Sequence, residues 1–365
     1  MRCIRFLIAT TFTIMVELSL LAQVPVNIGD TPPPRVNADL SVTYFLNAPD
    51  AKEVRLGDTV FAPDPPGIPL TKGPDGMWSV TTPPYELGTH NFGFVVDGVL
   101  TGDMGGTAHT ERLPLGYLLF EQLDVRGLDP LFTDVQQVPH GTVHIETFTS
   151  AALNREVRCF VYTPPQFVTG ERLPVVYLFQ IDADFEGTWS AIGYAERIAD
   201  NLIATGQARR AILVLPAGNR DNLPAAVMDT YLISEVIPFV ESKYLIEPAA
   251  QRYLAGHSNG ALYARNAGLR NPSMFAGLGL FSGGGLLAGR ALEDIFPLLT
   301  QQPDLFSQMK PIYIAIGNED AALSNVQRLS QSLDRLGVTN TLSLTSGGHT
   351  WFNWRRYLSE FLKSI

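Results

Sequence analysis

Cysteine and positive charge are both scarce in this chain of 365 residues. It contains 2 cysteines, and its 26 Lys and Arg residues face 36 Asp and Glu residues, which gives a net charge of −10. Because nucleic acids and anionic membranes are bound by basic protein faces, this balance argues against both as partners. Charged residues make up only 17% of the chain, whereas hydrophobic residues make up 45%. The composition therefore indicates a folded protein with a substantial core and a surface that is polar but weakly charged.

The amino terminus predicts an export signal. Two arginines precede a mostly apolar run at residues 6–16, and Ala22 offers a cleavage site. The alternative is an uncleaved anchoring helix, but Glu17 interrupts the run, which is too short for a comfortable membrane span. We expect residues 1–22 to be removed, so that the mature protein is periplasmic or extracellular with no membrane span.

The two cysteines do not predict a disulfide within the mature chain. Cys3 lies in the predicted signal and would be removed with it. Cys159 lies in an apolar, strand-like run, where a single cysteine usually behaves as a small buried hydrophobe. We therefore expect the fold to depend on its core and not on cross-links.

The length and the pattern of apolar residues predict two domains. From about residue 36, short alternating runs are separated by frequent turns, which is typical of an immunoglobulin-like β-sandwich. From about residue 143, apolar strands alternate with helix-length runs, which predicts an α/β domain with a mostly parallel sheet covered by helices on both faces. The expected division is a signal at 1–22, a β-sandwich at 23–123, a linker at 124–140 and an α/β domain at 141–365.

Residues 256–260 read Gly-His-Ser-Asn-Gly and lie between an apolar run and a helix-forming run. A serine at a sharp turn from strand to helix presents its hydroxyl to solvent, and glycines flank it because a Cβ would collide with the neighbouring backbone. The alternative for so short a pattern is an ordinary turn serine. The position between a strand and a helix favours Ser258 as a nucleophile, with His257 as a packing residue or a pocket wall.

An acid and a histidine follow this serine in the order that α/β-hydrolases use. Asp320 comes just after an apolar run at 311–316, and His349 precedes a final aromatic helix. Side chains at the carboxyl ends of parallel strands meet at one edge of the sheet, so the three can converge. The alternative for Asp320 is a helix cap. We expect Ser258 as nucleophile, His349 as base and Asp320 as the residue that orients it.

Several motifs resemble known families. In the first part of the chain, residues 47–54 (NAPDAKEV), 75–80 (DGMWSV) and 95–99 (VVDGV) resemble the early-set, starch-binding-like immunoglobulin-type domain that precedes many bacterial esterases. Within it, the alternatives for Trp78 and Tyr85 are a sugar-stacking surface and core packing.

The second part of the chain resembles the putative-esterase family of α/β-hydrolases. The resemblance is carried by residues 138–143 (VPHGTV), 161–165 (VYTPP) and 348–351 (GHTW), together with the serine motif. The family includes feruloyl, acetyl xylan and enterochelin esterases. The resemblance implies a secreted serine carboxylesterase that hydrolyses feruloyl or acetyl esters of plant cell-wall polysaccharide through an acyl-enzyme.

Two other functions stay open for such a chain. One is a siderophore esterase of the enterochelin type, and the other is a catalytically weakened carbohydrate-binding protein that retains the triad. In each case the partner is a small-molecule or polysaccharide ester. The chain shows no clustered ligand spacing, so neither a metal nor an organic cofactor is implied.

The chain departs from the family at the oxyanion hole. The family takes one backbone N–H from the residue after the nucleophile, here Asn259, and another from a glycine turn after a strand. Residues 180–184 (QIDAD) replace that turn, so the second N–H is expected from Ile181 or Asp182. An ionised aspartate there would oppose a developing oxyanion, unless the aspartates only solvate the loop. The expected substrate-binding residues are Gln180, Trp189 and Trp351.

Overall fold

The structure is a computed structural model. It describes residues 31–57, 67–85, 87–101, 109–113, 116–125, 132–180, 186–218, 223–246, 251–283, 304, 306 and 308–365. The predicted signal at 1–22 and the predicted oxyanion residues Ile181 and Asp182 lie outside the described residues.

The amino-terminal part folds into two antiparallel sheets. Their strands are β1 (Arg35–Val36), β2 (Val42–Asn47), β3 (Val54–Gly57), β4 (Ile68–Pro69), β5 (Thr71–Lys72), β6 (Met77–Thr81), β7 (Gly88–Val96), β8 (Val99–Thr101), β9 (His109–Leu113) and β10 (Gly116–Val125). One sheet has the order β1-β2-β6-β5, and the other has the order β4-β3-β7-β10-β9 with β8 paired to β7. One buried cluster takes side chains from both sheets, so they pack face to face as a sandwich.

Trp78 and Tyr44 lie in this core. Tyr44 is completely buried and packs on Phe92, with 4.9 Å between ring centroids. Trp78 is 7% exposed, and its indole N–H donates to the carbonyl oxygen of Ala48 at 2.8 Å. Its polar atom is thus satisfied inside the sandwich. Of the two alternatives that the sequence left for Trp78, the structure shows core packing.

The second part of the chain is built on one eight-stranded sheet in the order β11-β12-β14-β13-β15-β16-β17-β18. The strands are β11 (Thr142–Ser150), β12 (Arg155–Thr163), β13 (Val175–Phe179), β14 (Ile212–Leu215), β15 (Arg252–His257), β16 (Gly277–Phe281), β17 (Ile312–Gly317) and β18 (Thr341–Thr345). β11 and β12 pair antiparallel to their neighbours, and every pairing from β14 to β18 is parallel. This mostly parallel sheet confirms the predicted fold class.

Helices cover both faces of the large sheet. They are α1 (Thr188–Ala191), α2 (Ala195–Ala204), α3 (Ala225–Thr230), α4 (Ile237–Lys243), α5 (Asn259–Arg270), α6 (Leu323–Arg335) and α7 (Trp351–Ser364), and a π-helix at Tyr231–Val236 joins α3 to α4. Alternate side chains of β13 enter different cores: Val175 and Tyr177 pack on the α3–α6 side, whereas Val176 and Leu178 pack on the α2 and α7 side. Burial on both faces explains the unbroken apolar runs of these strands.

The two parts of the chain touch through a stack of three rings. The His90 imidazole of β7 lies 4.7 Å from the Tyr85 ring and 5.7 Å from the Phe352 ring of α7, with interplanar angles of 17° and 12°. The domain boundary predicted within residues 124–140 stays a prediction. Across the described ranges, no helix is both long enough and apolar enough to cross a membrane.

Candidate active site

Ser258 occupies a sharp turn between β15 and α5. Its backbone has φ 53° and ψ −123°, a conformation that costs a residue with a side chain about 1–3 kcal/mol. Two features hold the turn in place. The Ser258 N–H donates to the carbonyl oxygen of Phe281 at the end of β16 (2.9 Å), and Gly260 packs directly against the backbone at the end of β13. The predicted elbow is therefore present, and the serine is only partly buried.

His349 bridges Ser258 and Asp320. Its Nε2 atom lies 3.0 Å from Ser258 Oγ, and its Nδ1 atom lies 2.8 Å from Asp320 Oδ2. An ionised carboxylate can only accept, so Nδ1 carries the proton and Nε2 is left as an acceptor for the serine hydroxyl. The structure thus brings together the three side chains that the sequence selected, in an arrangement that allows the histidine to take the serine proton.

Asp320 lies beyond the carboxyl end of β17, and its side chain is only 1% exposed. Burial, the largest single effect, raises the pKa of this carboxyl, but the hydrogen bond and charge of His349 and the hydrogen bonds of other neighbours together lower the net pKa. The Ala322 N–H donates to Oδ1 at 2.9 Å, and the nearby Ser282 hydroxyl lowers the pKa further. Asp320 is therefore ionised at neutral pH and can stabilise a positive charge on His349.

The loop that carries His349 is held by the first turn of α7. The amide of Asn353, which is completely buried, donates to the carbonyl oxygens of Ser346 and Gly348, both at 3.0 Å. Thr350 caps the helix by accepting the Asn353 N–H. Asn353 is a positioning residue that sequence reasoning missed. The spacing of Thr350 and Asn353 at the start of the final helix was the one local signal for it.

His257 is a buried packing residue, as expected. It has no exposed surface, and its ring lies 5.1, 4.6 and 4.2 Å from the rings of Trp189, Trp351 and Trp354 respectively. Burial, with a smaller effect from His349, lowers the pKa of His257 well below its ordinary value. His257 is therefore neutral.

The three residues expected to bind substrate are all buried. Gln180 is 0% exposed and its amide donates to Pro216 O at 2.9 Å. Trp189 is also 0% exposed, and its indole N–H donates to Phe179 O at 2.9 Å. Trp351 is 5% exposed and packs edge-on against Trp189. The N–H groups of Gln180 and Trp189 thus donate to backbone carbonyls, whereas Gln180 Oε1 is buried without a hydrogen-bond partner among the described residues. A direct role of these three residues in substrate binding stays a prediction.

The described residues include one half of the predicted oxyanion hole. Asn259 directly follows Ser258 and is the first residue of α5, so its backbone N–H lies at the positive end of a 12-residue helix. That position suits the stabilisation of a developing negative charge. No group of three His, Cys, Asp or Glu side chains that could hold a metal ion occurs among the residues that the structure describes.

The sequence is similar to known proteins. The sequence matches the Putative esterase family over residues 150–365. It is 28% identical over 354 residues to the endo-1,4-beta-xylanase/feruloyl esterase of Xylanibacter ruminicola, covering 91% of this chain and 46% of that protein. It is 23% identical over 233 residues to an uncharacterised protein of Corynebacterium glutamicum, covering 55% of each. The chain thus spans about half the length of these curated relatives.

Solved structures show the same fold. The enterobactin esterase of Shigella flexneri, in the presence of enterobactin, aligns with a TM-score of 0.71 at 20% identity, over 91% of this chain and 95% of that one. A ferulic acid esterase aligns with a TM-score of 0.54 at 24% identity, over 61% of this chain and 97% of that one. Because the family match spans more than half of the sequence, this chain belongs to the Putative esterase family and has the α/β-hydrolase fold.

Proposed function

We propose that this protein is a serine carboxylesterase in which Ser258, His349 and Asp320 form the catalytic triad. The observation that carries the proposal is the continuous contact from Ser258 Oγ through both nitrogens of His349 to the buried carboxylate of Asp320. An intact arrangement of this kind favours catalysis over the alternative of a binding protein that keeps the residues by descent.

The reaction follows from these contacts. His349 Nε2 takes the proton as Ser258 Oγ attacks the carbonyl carbon of the ester, and the Asn259 N–H stabilises the oxyanion of the tetrahedral intermediate. The intermediate collapses when the C–O bond to the alcohol breaks and His349 gives its proton to the departing oxygen. Water, activated by the same histidine, then attacks the acyl-enzyme, releases the acid and restores the serine hydroxyl.

The proposed substrates are carbohydrate-linked esters, namely feruloyl or acetyl esters of plant cell-wall polysaccharide. Support comes from the Xylanibacter ruminicola relative, whose name pairs xylanase with feruloyl esterase and whose similarity extends over 91% of this chain. A siderophore esterase of the enterobactin type is the second candidate. The fold likeness to the Shigella flexneri enzyme favours it, because that likeness covers both the amino-terminal sheets and the large sheet.

A substrate panel tests the proposal. Release of product from methyl ferulate, acetylated xylan, enterobactin and p-nitrophenyl acetate is measured with the parent protein and with Ser258→Ala. We expect the substitution to lower turnover by roughly 10⁴-fold or more, with an unchanged circular dichroism spectrum. An organophosphonate should label the parent at Ser258 and leave the variant unlabelled.

The outcomes separate the candidates. Turnover of enterobactin without turnover of methyl ferulate or acetylated xylan would replace the cell-wall substrate with a siderophore. No turnover of any ester by the folded parent, or equal turnover by Ser258→Ala, would overturn the esterase proposal.

We also propose that the protein is exported. The charged start, the apolar run and the cleavage site of residues 1–22 support this proposal. Edman sequencing of the protein recovered from the periplasm or medium should begin at Gln23. Recovery of the full-length chain from the cytoplasmic fraction alone would contradict it.

A further inference from the structure

A groove of about 460 Å³ lies where the amino-terminal sheets meet the second part of the chain. This junction groove is lined by Leu87 from the amino-terminal part, by Phe132 from the segment before β11, and by residues of α2, α7 and the turn after α2. None of the proposed triad residues lines it. The junction groove is therefore a separate surface that the proposed ester hydrolysis does not use.

One wall of the junction groove is aromatic and held in place. Phe352 is partly exposed, and its ring lies nearly parallel to the His90 imidazole, which in turn stacks on Tyr85. A ring fixed by such a stack loses little freedom when a ligand packs on it. The apolar face of a sugar ring can bury its C–H groups against an aromatic surface of this kind.

The junction groove also has polar side chains in its lining. The exposed amide of Gln207 donates to the Thr205 hydroxyl at 3.2 Å, and both side chains line the groove. Amides and hydroxyls both donate and accept, so they can recognise sugar hydroxyls. A few polar groups beside an aromatic wall is the usual composition of a small-molecule site.

The charge of the junction groove is positive, in contrast to a chain of net charge −10. Lys363 pairs with Glu360 at 2.8 Å, whereas Arg356 is exposed and has no carboxylate partner in the described part of the chain. All three side chains line the groove. Arg356 therefore offers an exposed guanidinium that is not paired with a carboxylate of the described residues, and its planar fork suits a carboxylate ligand.

We propose that the junction groove binds an acidic oligosaccharide, with a uronate carboxylate on Arg356 and a sugar ring on Phe352. The choice of a saccharide rests on the proposed function, since a cell-wall esterase meets its ester on a polysaccharide. Holding one part of such a polymer raises the effective concentration of its esters at Ser258.

Calorimetric titration of the full chain carrying Ser258→Ala tests the proposal without hydrolysis. The probes are a xylo-oligosaccharide with a glucuronic acid branch and the unbranched xylo-oligosaccharide of the same length. We expect the branched probe to bind at least about tenfold more tightly, because it adds a charge-assisted hydrogen bond. Adding Arg356→Gln should abolish that difference, and added salt should reduce it.

Arg335→Gln is the matched control, since Arg335 is an exposed residue of α6 that makes the same charge change outside the junction groove. It should leave both affinities unchanged. Phe352→Leu should weaken both probes alike. The proposal would be overturned if the two probes bound equally or if neither bound. It would also be overturned if free ferulate bound more tightly than the branched probe, or if Arg356→Gln did not change the affinity for the branched probe. None of these results depends on whether the parent hydrolyses esters, so the two proposals fail separately.

Discussion

Gly256 and Gly260 pack against each other across the turn that holds Ser258. A Cβ built on Gly256 would lie 2.6 Å from the carbonyl carbon of Gly260, and a Cβ on Gly260 would lie 2.6 Å from the carbonyl oxygen of Phe179. Every one of these neighbours is backbone, so no side-chain rotation can relieve the contact. The two glycines allow β13, β15 and α5 to approach closely enough to leave the serine hydroxyl beside His349.

Gly260→Ala should therefore damage both stability and turnover. The added methyl group must push α5 away from β13, which we expect to cost about 1–3 kcal/mol of unfolding free energy. Displacement of Ser258 should lower turnover about 100-fold. Urea unfolding and the p-nitrophenyl acetate rate measure the two effects.

Gly57→Ala is the control for this substitution. A Cβ on Gly57 meets no atom of the described residues within 4 Å, so the free energy of unfolding and the rate of this variant should match the parent. A Gly260→Ala variant with parental stability and rate would show that the elbow is not close-packed.

The features that the sequence predicted well are local or periodic. The elbow is five consecutive residues, and the parallel sheet follows from strands that are apolar along their whole length, such as β13 and β17. The chain order of Ser258, Asp320 and His349 is a second property that can be read without coordinates. These features depend on neighbouring residues in the chain or on burial, and both of these influences leave a pattern in the sequence.

The features that the sequence did not reveal depend on partners from distant elements. The sequence around an aromatic or amide residue near the site does not distinguish a side chain that lines a pocket from one that is buried behind it. The sequence did not reveal that Trp189 and Gln180 are buried and that Phe179 O and Pro216 O accept their N–H groups. Ser282 was missed for the same reason, since its proximity to Asp320 exists only once β16 and β17 are adjacent.

Asp320→Asn should leave a folded protein with turnover lowered by about 10⁴-fold. The amide can hold His349 in the wrong tautomer and cannot stabilise its positive charge. Glu319 is exposed, whereas Asp320 is buried, so Glu319→Gln is a matched control that removes one carboxylate from the next position. We expect it to change turnover less than about twofold. If Glu319→Gln lost more turnover than Asp320→Asn, Glu319 and not Asp320 would be the carboxylate that orients His349.

Cys159 should be unreactive in the folded protein. It is completely buried in β12, and burial raises the pKa of its thiol far above the ordinary value. The experiment uses the chain from Gln23 onward, which lacks Cys3. Because only the thiolate reacts with a disulfide reagent, we expect Cys159 to be labelled only after the protein unfolds. Guanidinium should release one reactive thiol per chain. Rapid labelling of the native protein would contradict this burial.

Ser282→Ala should lower stability in a way that depends on pH. The Ser282 hydroxyl is buried beside Asp320 without a hydrogen bond of ordinary geometry in the described residues, yet it lowers the pKa of that carboxyl. A carboxyl whose folded pKa is depressed contributes stability above its unfolded pKa, near the ordinary 3.8, and loses it as the pH falls through the folded value. Removing the hydroxyl raises the folded pKa, so we expect a loss of about 1 kcal/mol at pH 7.

That loss should fade as the pH falls below the ordinary pKa of Asp320, because the protonated carboxyl no longer gains from the hydroxyl. Urea unfolding of the parent and of Ser282→Ala over this range measures it. Ser330→Ala is the matched control: this buried hydroxyl donates to the neutral Asn340 amide oxygen at 2.7 Å, so its cost should not change with pH. If both substitutions lose stability by the same amount at every pH, the Ser282 hydroxyl acts through packing alone and does not stabilise the ionised Asp320.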